Sequence, residues 1–302
     1  MVGAFLTTIL FSLSAIFANR SIRAVGAVPA NVGRLLVAAL TLGVYAHLWG
    51  GGWGGAGFNW LLWSGVVGMG LGDLALFAAL PLLGSRLTVL MTQCLAAPIA
   101  ALAEYLWLGT VLTSVQLLWG GVILLGVMGA LMPSRSDPPK VKIRPLGFLW
   151  GLGSAAGQGL GAVLSRKASQ VATTAGESID GITGAYQRIL GGLVITLTFF
   201  AILALIRRLR ASSTETGLAP RPPWRAYLWI PANALSGAVI GVSCYQWALF
   251  TTPSGLVMPI VAATPLVIVP FSYWLEGERP SRRSLVGGAV AVAGAVALAW
   301  VR

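Results

Sequence analysis

Charge is what this sequence has least of. Only 9% of its 302 residues are Asp, Glu, Lys or Arg, against about 25% in ordinary soluble domains. Acids are the scarcer sign, 8 against 20 basic residues. Histidine occurs once, at His47, and no carboxylate pair stands at a spacing useful for acid–base work. A Ser-His-Asp set, a metal-ligand cluster and a phosphate-cradling glycine loop are all missing, so no enzyme, no metal and no cofactor is expected. The two cysteines, Cys94 and Cys244, both fall inside apolar runs. They cannot build a disulfide framework and read as small packing residues. The strict apolar–polar alternation of a membrane β-barrel is also absent.

What is present is apolar, at 57% of residues. Leu35 to Gly72 and Ala226 to Leu275 contain no charged residue, and each is long enough for two spans of about 20 residues. In lipid such segments must be helical, because every N–H and C=O then finds a partner within its own segment. Ten spans are expected, at roughly 3–19, 31–49, 59–80, 87–108 and 113–132, then 145–165, 181–206, 226–250, 255–275 and 284–301. The segment 133–144, PSRSDPPKVKIR, reads as a solvated linker. Residues 207–225 form the longest polar loop, and Gly50 to Gly57 a glycine-rich turn. The first span lacks a basic segment before it and is expected to be a permanent helix rather than a signal peptide. The net charge of +12 sits in short loops beside the spans, where it suits anionic headgroups and topology rather than nucleic acid.

The chain repeats itself. Gly68-Met69-Gly70-Leu71-Gly72 recurs 169 residues later as Gly237-Ala238-Val239-Ile240-Gly241. Leu118-Trp119-Gly120-Gly121-Val122 recurs at a distance of 167 as Leu285-Val286-Gly287-Gly288-Ala289. Arg34-Leu35-Leu36 corresponds to Arg188-Ile189-Leu190. Five spans per copy is an odd number, so the second copy enters the membrane from the opposite side. The expected architecture is all-α and integral to the membrane, with ten helices as two inverted five-helix repeats: 1–132 and 145–302, joined by 133–144. Glycines four apart (Gly153, Gly157 and Gly161, Gly68 and Gly72, Gly237 and Gly241) read as close-packing faces between helices.

The chain resembles the EamA-type members of the drug/metabolite transporter superfamily. In the first half the likeness rests on Gly33-Arg34-Leu35, on Ala79-Leu80, and on Pro98 followed by Leu106-Trp107-Leu108-Gly109. In the second half it rests on Tyr245-Gln246-Trp247-Ala248-Leu249, Thr264-Pro265 and Leu275-Glu276-Gly277-Glu278-Arg279. The family often closes its fourth and ninth helices with a Leu-Gly-Glu-Arg-like turn. Here the first copy has Gly109-Thr110 and lacks the Glu. The resemblance implies ten helices in two inverted repeats and transport of a small solute. It names no substrate, since the family moves amino acids, metabolites, nucleotide-sugars and drugs.

Polar residues inside spans need a reason, because a charge at mid-bilayer costs about 2.5–3.5 kcal/mol on insertion scales. Asp73 is the deepest acid. It either pairs with Arg34 or Arg188 to fix helix packing, or faces a cavity and binds a substrate amine or a coupling proton. Gln93, Gln158 and Gln246 bond a neighbouring helix or a ligand. Tyr186, Tyr245 and Trp247 either wall a cavity or anchor at the interface. Glu104, His47 and Trp107 stand near helix ends and read as interfacial. The expected substrate-binding set is Asp73, Gln93, Gln158, Arg188, Tyr245 and Gln246. Arg34, Pro98, Pro259 and Pro265 are expected to be structural or gating, since Pro98 interrupts the fourth span and Pro259, Pro265 and Pro270 the ninth.

Orientation is contested. The resemblance implies cytoplasmic termini. Yet fifteen Lys and Arg lie in the loops after spans one, three, five, seven and nine, against Arg166, Lys167 and Arg302 on the other side. The positive-inside rule then puts both termini outside. The functional expectation is a secondary transporter of small organic metabolites, amino acids or similar solutes, in the cytoplasmic (inner) membrane. It would act by alternating access, with membrane lipids and a small-molecule substrate as partners. The alternatives are a non-transporting scaffold or lipid-handling protein of the same fold and, more weakly, a membrane-embedded enzyme.

Overall fold

A computed structural model describes residues 1–132, 141–210, 223–276 and 281–301. Most of the linker (133–140), most of the polar loop (211–222) and the second Glu-Gly-Glu-Arg turn from Gly277 onward lie outside them. Among the described residues ten helical spans follow one another: α1 Val2–Val25, α2 Ala27–Leu48, α3 Phe58–Leu83, α4 Ser85–Leu108, α5 Ser114–Leu131, α6 Pro145–Thr174, α7 Gly181–Arg210, α8 Trp224–Thr251, α9 in two segments (Ser254–Ala262 and Thr264–Glu276), and α10 Arg282–Trp300. Among the described residues there is no strand, and nine of these spans are long and apolar enough to cross a membrane. The exception is α6, whose glycines and Gln158 dilute its hydropathy. It also continues beyond residue 165 to Thr174, so Arg166 and Lys167 belong to the helix and not to a loop.

Sequence dictates the tight reversals. A single glycine joins α1 to α2 and another joins α3 to α4, at φ 90° (Gly26) and 80° (Gly84). A Cβ is strained there, so only glycine makes so short a corner without cost. Thr113 opens α5 with a reciprocal cap: its side chain accepts from the Gln116 amide, and the Gln116 side chain accepts from the Thr113 amide at 3.0 Å. The prolines behave differently from one another. Pro98 sits inside a continuous α4 and Pro259 inside the first segment of α9. The break in α9 comes at Ala263, just before Thr264-Pro265. Pro81 lies inside α3 as well.

Both halves carry the same irregularity. α3 widens into a π-helical segment at Gly65–Leu71, and α8 does so at Ala234–Gly241. π-Helical insertions are rare and concentrate where helices do work. The residue before each is polar and ties its helix to a neighbour. Ser64 donates to the Gly161 carbonyl of α6 at 2.6 Å, and Asn233 accepts from Ser14 of α1 at 2.6 Å.

Most of the larger helix pairings come in matched sets. α3 and α4 pack on α6, as α8 and α9 pack on α1; α2 pairs with α7, α4 with α9, and α5 with α10. Exchanging each helix with its counterpart five positions along leaves these pairings unchanged, whereas the α7–α8 and α1–α2 contacts have no counterpart among the described residues. The glycine faces make the contacts close. A Cβ on Gly157 would come 2.6 Å from the Gly72 Cα, and one on Gly161 3.0 Å from the Gly68 Cα. Lipid offers no hydrophobic drive for helix association, so such backbone proximity is what holds α3 to α6.

Candidate functional site

Between the halves lies a chamber of about 520 Å³, within the range of small-molecule sites. Its mouth is framed by Ser21 and Ile22 at the end of α1, Ala27 and Asn31 at the start of α2, Phe77 of α3, and Ile268 of α9. These belong to the membrane face that bears the arginine-rich loops. Arg34 lines the chamber near this mouth, and its Nη2 donates to the Asn31 Oδ1 at 2.8 Å.

Deeper in, α3 presents Asp73 and α6 presents Gln158, whose amide donates to the Asp73 carboxylate at 3.2 Å. Among the described residues Asp73 makes no ion pair. Arg34 and Arg188 are near enough to act on it electrostatically but do not contact it. The packing ion pair entertained from sequence is therefore not formed. Gln93 and Thr92 of α4 complete this wall, and the Thr92 hydroxyl is buried without a hydrogen-bond partner.

Arg188 of α7 closes the floor. It is 2% exposed. Its Nη1 donates to the Ser165 hydroxyl at 3.3 Å and to the Gln246 carbonyl at 3.5 Å, and its guanidinium carbon stands 5.2 Å from the centre of the Tyr245 ring. Tyr245 is buried at the chamber wall and donates to the Met258 sulfur at 3.0 Å. The interfacial-anchor alternative for Tyr245 therefore fails, whereas Trp247 is 47% exposed toward the lipid side.

Of the six residues expected to bind substrate, Asp73, Gln93, Gln158, Arg188 and Tyr245 line one chamber. Gln246 does not. It is wholly buried behind the guanidinium, accepting from Arg188 and donating to the Gly184 carbonyl at 3.4 Å. Of the expected gating residues, Arg34 and Pro265 line the chamber, and Pro98 and Pro259 do not.

The far end is shut by residues that sequence reasoning placed wrongly or passed over. Glu104 is not interfacial but 1% exposed. It pairs with Arg166 of α6 at 3.0 Å and accepts from the Ser254 amide at the start of α9 at 2.6 Å. The Ser254 hydroxyl also donates to it, as does Thr110 at 3.2 Å. Arg166 continues to the Leu249 carbonyl of α8 at 2.8 Å. Four helices, α4, α6, α8 and α9, are thus joined through one buried carboxylate. Elsewhere, at the start of α7, Tyr186 accepts from the Trp53 indole at 2.7 Å and bonds the His47 ring at 3.2 Å. The Gln187 amide donates to the Gly52 and Gly54 carbonyls at 3.0 Å each, pinning the glycine-rich turn. His47 itself is exposed in the last turn of α2, where its sequence position put it. The available signal was a carboxylate within an otherwise apolar helix, discounted because it lay close to a helix end.

A second groove, between α3, α6 and α7, is lined by apolar residues such as Leu71, Trp150 and Phe199, and shares only Phe77 with the chamber.

The model of the EamA-like transporter family matches residues 145–300. Solved structures share the fold. One, described only as "Crystal structure of protein", superposes with a TM-score of 0.73 at 17% identity, over 98% of this chain and 94% of its own. No curated protein sequence matches.

Proposed function

Because this chain belongs to the EamA-like transporter family of the drug/metabolite transporter superfamily, we propose that it is a secondary transporter of small organic metabolites, amino acids or similar solutes, working by alternating access. The observation that carries this reading is a solute-sized chamber, polar at its centre, open at one end and latched at the other. Helix pairings that largely map onto one another support two repeats, divided at residues 133–144, which rock about the chamber. An inverted pair of repeats can exchange conformations, so the open and shut ends trade places. In the state described, the Glu104 cluster is the shut gate. Asp73, Gln93, Gln158, Arg188 and Tyr245 are the substrate-contacting set, Gln246 supports Arg188, and Arg34 and Pro265 stand where the mouth must close. A lipid-handling role would draw on the apolar groove, but acyl chains give no reason for Asp73 to line a chamber or for Arg188 to be buried.

Purified protein in liposomes should show saturable flux for at least one member of a metabolite panel. Well-folded protein with none would end this reading. Asp73→Asn keeps the shape and the bond from Gln158 but removes the charge. It is expected to cut flux by about tenfold or more while the protein stays monodisperse. Unchanged flux would make Asp73 a packing residue and exclude it as ligand or proton carrier.

The charge bias supports termini outside the cytoplasmic membrane, and the mouth then faces the cytoplasm. Arg166, inside α6 and engaged with Glu104, is removed from the opposing count, which strengthens that bias. A C-terminal reporter active only in the cytoplasm should stay dark. A bright signal would invert the assignment and turn the mouth outward.

A further inference from the structure

Arg188 is a buried cation with an unfinished set of partners. Its described partners are all neutral: the Ser165 hydroxyl and the Gln246 amide oxygen, both at Nη1, and the Tyr245 hydroxyl beside the guanidinium. Its Nε is buried and has no hydrogen-bond partner. No described carboxylate is within ion-pair distance, and the nearest chamber acid, Asp73, is engaged by Gln158. Burying a guanidinium without a counter-charge costs several kcal/mol, which a purely structural residue would not justify. Only a glycine leaves room for the group here: Gly68 packs against its Nη2, and a Cβ there would come within 2.8 Å of that nitrogen. The charged residues lining the chamber are two arginines, Arg34 and Arg188, against the single Asp73. The chamber is therefore one negative charge short of neutral.

We infer that the chamber floor is a docking site for the carboxylate of an anionic or zwitterionic solute, with Arg188 as the group that receives it. The inference rests on the transporter reading and names its substrate class. A carboxylate supplies the missing counter-charge and offers oxygens to the free guanidinium N–H groups in the planar geometry that arginine favours. Tyr245, beside the guanidinium, walls the same spot. In a simple carboxylate the rest of the solute extends past Met258 toward the mouth. In an α-amino acid the ammonium has Asp73 within the same chamber.

The test uses the full chain in liposomes with radiolabelled short monocarboxylates, α-amino acids, and the primary amide or methyl ester of each. At least one acid should show saturable flux, with its amide or ester weaker by at least about tenfold. Arg188→Gln should raise the KM for the acid by a similar factor and erase the preference over the amide, whereas Arg188→Lys should keep part of that preference. If R188Q does not fold, the acid-to-amide ratio of the parent protein decides alone. Asp73→Asn separates the two solute types: it should weaken amino-acid flux more than flux of the simple acid. Saturable flux limited to neutral, cationic or phosphorylated solutes, or an unchanged acid preference in R188Q, overturns this inference and leaves the transporter reading standing. No saturable flux of any class overturns both.

Discussion

Replacing Glu104 by alanine is expected to destabilise the protein by about 3–5 kcal/mol, a large fraction of what holds a single fold together. The side chain is 1% exposed, and its removal strands Arg166, the Ser254 amide and the Ser254 hydroxyl inside the packed end of four helices. The loss is the cost of uncompensated buried polar groups, not the modest worth of an exposed ion pair. Glu104→Gln keeps shape and one acceptor, so it should lose less. Replacing both members of the pair with apolar residues of similar volume, as in E104L with R166M, should recover part of the loss, because no charge is then left unpaired. Thermal unfolding in detergent, followed by size-exclusion profile, reads all three. An E104A protein as stable as the parent would show that this cluster does not hold the end shut. The same change should also bias surviving molecules toward opening at that end, visible as increased labelling of a cysteine placed at Phe250.

Adding one methyl group at Gly65 or Gly191 should be nearly as damaging. A Cβ on Gly65 would overlap the Arg188 carbonyl oxygen and come 2.9 Å from the Gly192 nitrogen. A Cβ on Gly191 would overlap the Leu62 carbonyl oxygen and come 2.9 Å from the Val66 nitrogen. The obstacles are backbone atoms on both sides, so no rotamer change relieves them and α3 must part from α7. Overpacking of this kind costs about 1–3 kcal/mol or more. It would also move Arg188, so flux should fall further than stability. Gly121→Ala and Gly288→Ala are the matched controls, since nothing lies within 4 Å of a Cβ at either position. They should be neutral or slightly stabilising, because alanine loses less backbone freedom in a helix. Equal behaviour of G65A and G121A in a melting assay would refute the claim that backbone contact between α3 and α7 sets the chamber.

Much of the fold was legible because membrane insertion is decided segment by segment. Leu35 to Gly72 has to enter lipid whatever its neighbours are, and the recurrence of Gly68–Gly72 at Gly237–Gly241 marks one unit used twice. That correspondence reappears as two π-helical segments at matching positions, each preceded by a polar tether. Five of six candidate substrate residues lie around one chamber because polar side chains deep in spans have few stable places to be. Gln246 was misplaced for a reason of angle: one helical step from Tyr245 turns it away from the chamber and behind Arg188. Glu104 was misplaced for a reason of depth. Nearness to a helix end suggests water, but α6, α8 and α9 cover that end and make it interior.

By itself the sequence determined that the chain is helical, lies in the bilayer and crosses it nine or ten times. Each of these follows from the transfer energy of a segment or from counting, and neither requires knowing what touches what. Only the tertiary structure decided that Asp73 is held by Gln158, that no described carboxylate pairs with Arg188, and which end of the chamber is shut. Those outcomes depend on side chains far apart in the chain, such as Glu104 and the Ser254 amide 150 residues away, being brought within hydrogen-bond reach by backbone-close helix packing.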